Sequence, residues 1–138
     1  MNKPFSSMVV AAAFMVATPA AFAEDLLKRC GFSNYTVGGS EFAGIYDGDF
    51  AGTLKHTLAI LDTTESGNAA GLYGHGVAKQ WGINQANCFG MGGKVEGNKL
   101  TFKTPAATVE YVFDGDSVDV TYTSPRGVTK GKLHRRPK

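Results

Sequence analysis

Thr108-Val109-Glu110-Tyr111-Val112-Phe113-Asp114-Gly115-Asp116-Ser117-Val118-Asp119-Val120-Thr121-Tyr122-Thr123 reads as two short strands and the turn between them. Successive side chains of a strand point to opposite sides, so Val109, Tyr111 and Phe113 share one face of the first strand. Val118, Val120 and Tyr122 share one face of the second. Asp114-Gly115 is a tight-turn pair, since glycine supplies the positive φ that a two-residue hairpin turn requires.

The same unit repeats outward in both directions. Lys99 to Thr104, with Leu100 and Phe102 on one face, comes before it across Pro105-Ala106. Ser124-Pro125-Arg126-Gly127 leads from it into Val128–His134. Further upstream, Gly44–Phe50 is a strand, and Thr53–Asp62 is another with Leu54, Leu58 and Ile60 on one face. A turn over Thr63–Asn68 returns the chain through Ala69–Val77. A loop over Lys79–Asn87 carries the only tryptophan, and Cys88–Glu96 is a glycine-rich strand closed by Gly97-Asn98. The 18 glycines all lie beyond residue 23 and are spaced through the chain, not clustered, which fits punctuation between many short strands. The chain is therefore expected to be all-β: a small antiparallel up-and-down β-barrel of about eight strands, or a compact β-sandwich. Closure is favoured because it removes unpaired sheet edges.

The N-terminus has a different character. Lys3 gives a basic head, Met8 to Val16 is apolar, Pro19 breaks the run, and Ala21-Phe22-Ala23 places small residues at a cleavage site. That is the layout of a signal peptide over residues 1–23, with an apolar run too short to span a bilayer. Residues 24–40 read as an irregular lead-in with one helical turn near Asp25–Arg29, and 41–138 as the barrel domain. The expected location is periplasmic or secreted. Cys30 and Cys88 both lie in the exported part, where an even cysteine count suggests a disulfide. Bridging that loop stabilises by roughly 4 kcal/mol in the chain-entropy model.

The formal charge of +2 drops by one without Lys3. So even a balance gives no general attraction to nucleic acid or to a membrane surface, and no further stretch is apolar enough for a membrane span. No P-loop, dinucleotide glycine loop or nucleophile elbow occurs. Two cysteines and three scattered histidines lack zinc-site spacing. No catalytic residue, metal site or cofactor is assigned, and the reading leans away from an enzyme.

Gly44-Ile45-Tyr46, Gly52-Thr53 and Gly67-Asn68-Ala69-Ala70-Gly71-Leu72-Tyr73 resemble the opening hairpin of calycin-type barrels, avidins in particular. That resemblance covers the first third of the chain and implies Tyr73 as a pocket-lining residue. The later tryptophans of avidins are missing, so biotin is not implied. A broader likeness is to small exported bacterial domains with the order G-x-[YW]-x-G, His56-Thr57-Leu58, Tyr73 to Gly76, Trp81 to Ile83 and Leu133 to Arg135. It implies the fold and no chemistry.

Two groups of residues attract attention as a site. Alternation puts His56 on the face of Leu54, Leu58 and Ile60. His75 lies on the return strand with Tyr73 and Val77, opposite His56 or within one pair of it. Such a pair can hold a metal or respond to pH, but no third ligand is apparent; backbone or tyrosine hydroxyl partners are the alternative. Trp81 stands between Gln80 and Asn84, and an aromatic face with amide donors suits a polyhydroxylated ring. It equally suits a plug over the barrel end. The expected function is non-catalytic binding of a small-molecule or glycan ligand at the barrel mouth through Trp81, Tyr73, His75, His56, Gln80 and Asn84. The alternative is a protein-interaction module, because Thr129-Lys130-Gly131 resembles the basic loop of small exported lysozyme inhibitors.

Overall fold

The computed structural model describes residues 27–28 and 38–137. The signal-peptide stretch, Cys30 and most of the lead-in lie outside the described residues. Leu27 and Lys28 are helical, and Leu27 is buried.

Eight strands follow in chain order: β1 (Gly44–Phe50), β2 (Leu54–Thr63), β3 (Asn68–His75), β4 (Asn87–Glu96), β5 (Lys99–Lys103), β6 (Thr108–Asp114), β7 (Ser117–Ser124) and β8 (Gly127–Arg135). Each pairs antiparallel with its sequence neighbours, and β8 returns to β1. The sheet is thus a single closed up-and-down barrel and not a two-layer sandwich. The quoted hairpin is β6–β7, with Asp114 opposite Ser117 and Gly115 at φ 63°. Gly97 repeats that geometry between β4 and β5.

Closure needs β1 and β8 to pass close together, and two glycines permit it. A Cβ on Gly48 would collide with the Lys132 carbonyl and Leu133, and one on Gly131 with the Asp49 carbonyl and Phe50. The inward positions of successive strands build one core from Tyr46, Leu58, Ile60, Leu100, Phe102, Tyr111, Val118 and Leu133. Withdrawing each such side chain from water contributes about 1.5–3 kcal/mol. Outward positions carry charge, with Lys99 facing Glu110 and Lys132 facing Asp119. Apolar inside and charged outside is the reverse of a lipid-facing barrel wall.

Two features depart from the expected pattern. β3 stops at His75, so Val77 is not a strand residue and is largely exposed. The cause is local. Ala78 and Ile83 exchange both backbone hydrogen bonds, Ala78 N to Ile83 O at 2.9 Å and Ile83 N to Ala78 O at 3.0 Å, which pinches the connection into a small clip. A short 3-10 turn, Lys79–Trp81, fills the clip, and Gly82 closes it at φ 76°. Second, β4 pairs with β5 only through Lys94–Glu96, whereas it pairs with β3 from Asn87 to Lys94. The upper part of β4 therefore has a strand neighbour on one side only.

Candidate functional site

Strand direction alternates, so the barrel has two distinct ends. At one end lie the turns after β2, β4 and β6 and the chain entering β1. This end is shut. Phe42 packs on Phe113 with ring centroids 4.8 Å apart, and Tyr46 meets Phe113 edge-on at 5.4 Å. Tyr46 Oη donates to the Phe42 carbonyl at 2.9 Å. Arg135 lies over the Tyr46 ring, its guanidinium carbon 5.0 Å from the centroid. It donates to the carbonyls of Ala43 (2.8 Å) and Glu41 (3.1 Å) and to Asp116 Oδ1 (3.0 Å). Planar donors in a fixed fork suit such a multi-point clasp.

The other end is open. It holds a cavity of about 660 Å³, within the range of small-molecule sites. Phe50, Tyr73, Phe102 and Val109 are buried residues that line it from below, and Tyr122, Met91 and Thr129 line its sides. Gly90, Met91 and Gly92 border it along the part of β4 that β5 does not reach, opposite Lys103 and Thr104. The mouth thus extends into a side slot between β4 and the β5–β6 turn.

Beneath this floor sits His56, 1 % exposed. It stacks on Phe50 (4.9 Å) and packs at a tilt against Tyr73 (4.3 Å). Both ring nitrogens are engaged. The Gly74 carbonyl can only accept, so His56 Nδ1–H donates to it at 2.7 Å. Nε2 is then the acceptor and takes the Tyr111 hydroxyl proton at 2.8 Å. Burial drives the His56 pKa down to about 4, against a smaller upward pull from the Gly74 bond; His75 lowers it further. The ring is neutral near pH 7 and fixed as one tautomer. Burial also raises the Tyr111 hydroxyl well above its usual value.

His75 faces His56 across β2–β3, as the strand pattern predicts. Its Nδ1–H donates to the Gly76 carbonyl at 2.8 Å, which leaves Nε2 as an acceptor in a residue lining the cavity. Among the described residues, no group of three or more His, Cys, Asp or Glu side chains can hold a metal ion. With both His56 nitrogens satisfied, the pair acts as a buried polar anchor beside a cavity-facing imidazole.

Trp81, Tyr73 and His75 all line the cavity. Trp81 is held at the rim by the 78–83 clip and stays 40 % exposed, so it does not plug the barrel. Tyr73 stacks on Phe89 at 5.0 Å with only 19° between the rings, and burial raises its hydroxyl pKa, with Tyr122 adding to the shift. His56 is a floor support below the cavity. Gln80 and Asn84 are exposed on the same connection and are not among the lining residues. Thr129-Lys130-Gly131 belongs to β8, paired with Tyr122, Thr121 and Val120, and is a strand and not a loop.

Sequence reasoning passed over Phe50, Phe89, Phe102, Lys103 and Tyr122. A usable signal existed: in an up-and-down barrel, the last inward residue of odd strands and the first of even strands meet at one end. The inward residues nearest that end, Phe50, Leu54, Tyr73, His75, Phe89, Phe102, Val109, Tyr122 and Thr129, supply half of the lining. No protein-family model matches this chain, and no curated protein is significantly similar to it.

Proposed function

We propose that this protein is an exported, non-catalytic binding protein that takes a small ligand into the open end of its barrel. The observation that carries the reading is the aromatic-lined cavity of about 660 Å³ above a closed, rigid floor. An apolar cavity with a few convergent polar groups is the usual form of a small-molecule site. The polar groups here are the hydroxyls of Tyr73, Tyr122 and Thr129 and the Nε2 acceptor of His75. The lining favours an apolar or aromatic small molecule over a glycan, because the amides of Gln80 and Asn84 stand outside the cavity. Trp81 and Phe89 serve as rim contacts, held in place by the 78–83 clip and by Tyr73.

Residues 1–23 direct the chain to the periplasm or the exterior in this reading, and Cys30 bridges to Cys88. No described cysteine is free, which supports the bridge. Cys88 is the second residue of β4, in the half that borders the slot, so the bridge would anchor the base of the rim.

The test uses N-phenyl-1-naphthylamine, a neutral apolar dye that brightens out of water. Titrated into the protein, it should brighten saturably and quench Trp81, the sole tryptophan. No saturable brightening at micromolar protein would refute the reading.

A further inference from the structure

The charged side chains of residues 38–137 are divided between the two ends of the barrel. Toward the closed end and along the wall every cation has a partner. Lys94 donates to the Ser66 carbonyl, and Lys99, Lys132, Arg135 and Arg136 meet Glu110, Asp119, Asp116 and Asp47. At the open end stand Lys79, Lys103, Arg126 and Lys130, and none forms an ion pair with an acidic side chain among the described residues. Asp49, in β1, faces Lys55 across β1–β2 and Lys132 across β1–β8, and its Oδ1 accepts from Gly52 N at 2.9 Å. Among the described residues no acidic side chain lines the cavity, whereas Lys103 does, one residue beyond the floor ring of Phe102.

We infer that the ligand is an amphiphilic acid, whose apolar body enters the cavity while its carboxylate or phosphate stays at the slot beside Lys103. This inference rests on the cavity reading above and adds the charge of the ligand. The geometry divides the labour. Phe50, Tyr73, Phe102 and Val109 withdraw the apolar part from water, each added methylene tightening binding about fourfold. The cationic rim raises the local concentration of anions and excludes cations of the same shape. Lys103 keeps its charged head in water while its stem forms part of the wall. An acid held there remains partly hydrated, so neither charge bears the full cost of burial.

The test measures displacement of N-phenyl-1-naphthylamine from the full chain by decanoate, decyl phosphate, decanol and decyltrimethylammonium, all below micelle-forming concentrations. The acids are expected to displace the dye at least about tenfold more effectively than the alcohol, with the cation weakest and the preference shrinking as salt rises. Lys103→Gln should cut the acid-over-alcohol preference about threefold or more, whereas Lys99→Gln on the outer wall should not change it. Equal displacement by acid and alcohol while the dye still binds would overturn the charge inference and leave the cavity reading standing. Failure of the dye itself to bind would remove both. Flotation with phosphatidylglycerol vesicles without any response to decanoate would also overturn it, assigning the cationic rim to a lipid surface.

Discussion

The guanidinium of Arg135 lies 5.0 Å from the centre of the Tyr46 ring and reaches past it to the Ala43 and Glu41 carbonyls. The contact joins the last strand, the first strand and the chain leading into it, so it seals both the seam of the barrel and its lower end. Its ion pair with Asp116 is a lesser contribution, because that carboxylate is 80 % exposed and solvent screens it.

Arg135→Ala should therefore destabilise the fold by about 2–4 kcal/mol, through the lost charge-assisted bonds to carbonyls and the lost stacking. Arg135→Lys should recover less than half, since an ammonium cannot make the fork. Asp116→Ala should cost under about 1 kcal/mol. Urea denaturation measures all three. Dye binding at the open end should persist in Arg135→Lys under conditions where that variant is folded.

His56 makes stability depend on pH in a definite direction. Its folded pKa of about 4 lies below the usual 6.5, so between those values the unfolded chain holds a proton that the folded one does not. Stability from this group is complete above pH 6.5 and falls as pH drops toward 4. The full loss is on the order of 3 kcal/mol. Denaturant midpoints measured from pH 8 to pH 4 should fall through that window, and His56→Gln should flatten the profile there.

Tyr111→Phe keeps the ring that packs on Phe102 but removes the proton donated to His56 Nε2. A buried acceptor is left without its partner, which costs about 1–3 kcal/mol. The expected result is a lower unfolding temperature with an unchanged far-ultraviolet spectrum.

Thr129 faces Tyr122 across β7–β8 and lines the cavity. Thr129→Phe should put a ring into that space. Dye affinity should drop about tenfold or more, with the unfolding temperature within about 5 °C of the parent, because the ring enters a cavity and not a packed core. Calorimetry beside the dye titration separates the two effects.

The proposed Cys30–Cys88 bridge has its own signature. Peptide mapping without reductant should recover one cross-linked fragment containing both residues. Reduction should lower stability by about 4 kcal/mol in the chain-entropy model. Two free thiols in the purified protein would contradict it.

The strand order was legible because alternation carries it: Val109, Tyr111, Phe113, Val118 and Val120 are buried, with Tyr122 partly buried beside them, as the period of two requires. The facing of His56 and His75 followed from the same count. Their roles did not. Whether His56 binds a ligand or is satisfied internally depends on Tyr111, which is 55 positions away in sequence. The 78–83 clip was equally hidden, since a backbone exchange between Ala78 and Ile83 leaves no side-chain signature. The side slot arises because β5 is half the length of β4, and strand ends are the least legible part of a sequence. Gln80 and Asn84 suggested a glycan by composition alone, and composition does not say which way a loop is turned.

The barrel is a cup closed at the Tyr46–Arg135 end and open at the Trp81 end. Amide chemical-shift mapping with N-phenyl-1-naphthylamine tests it most directly. Changes are expected at Tyr73, Trp81, Phe89, Lys103, Tyr122 and Thr129, with the amides of Ala43, Asp116 and Arg135 unmoved. Changes confined to the outer wall at Lys99, Glu110, Asp119 and Lys132, or no changes at all, would contradict it.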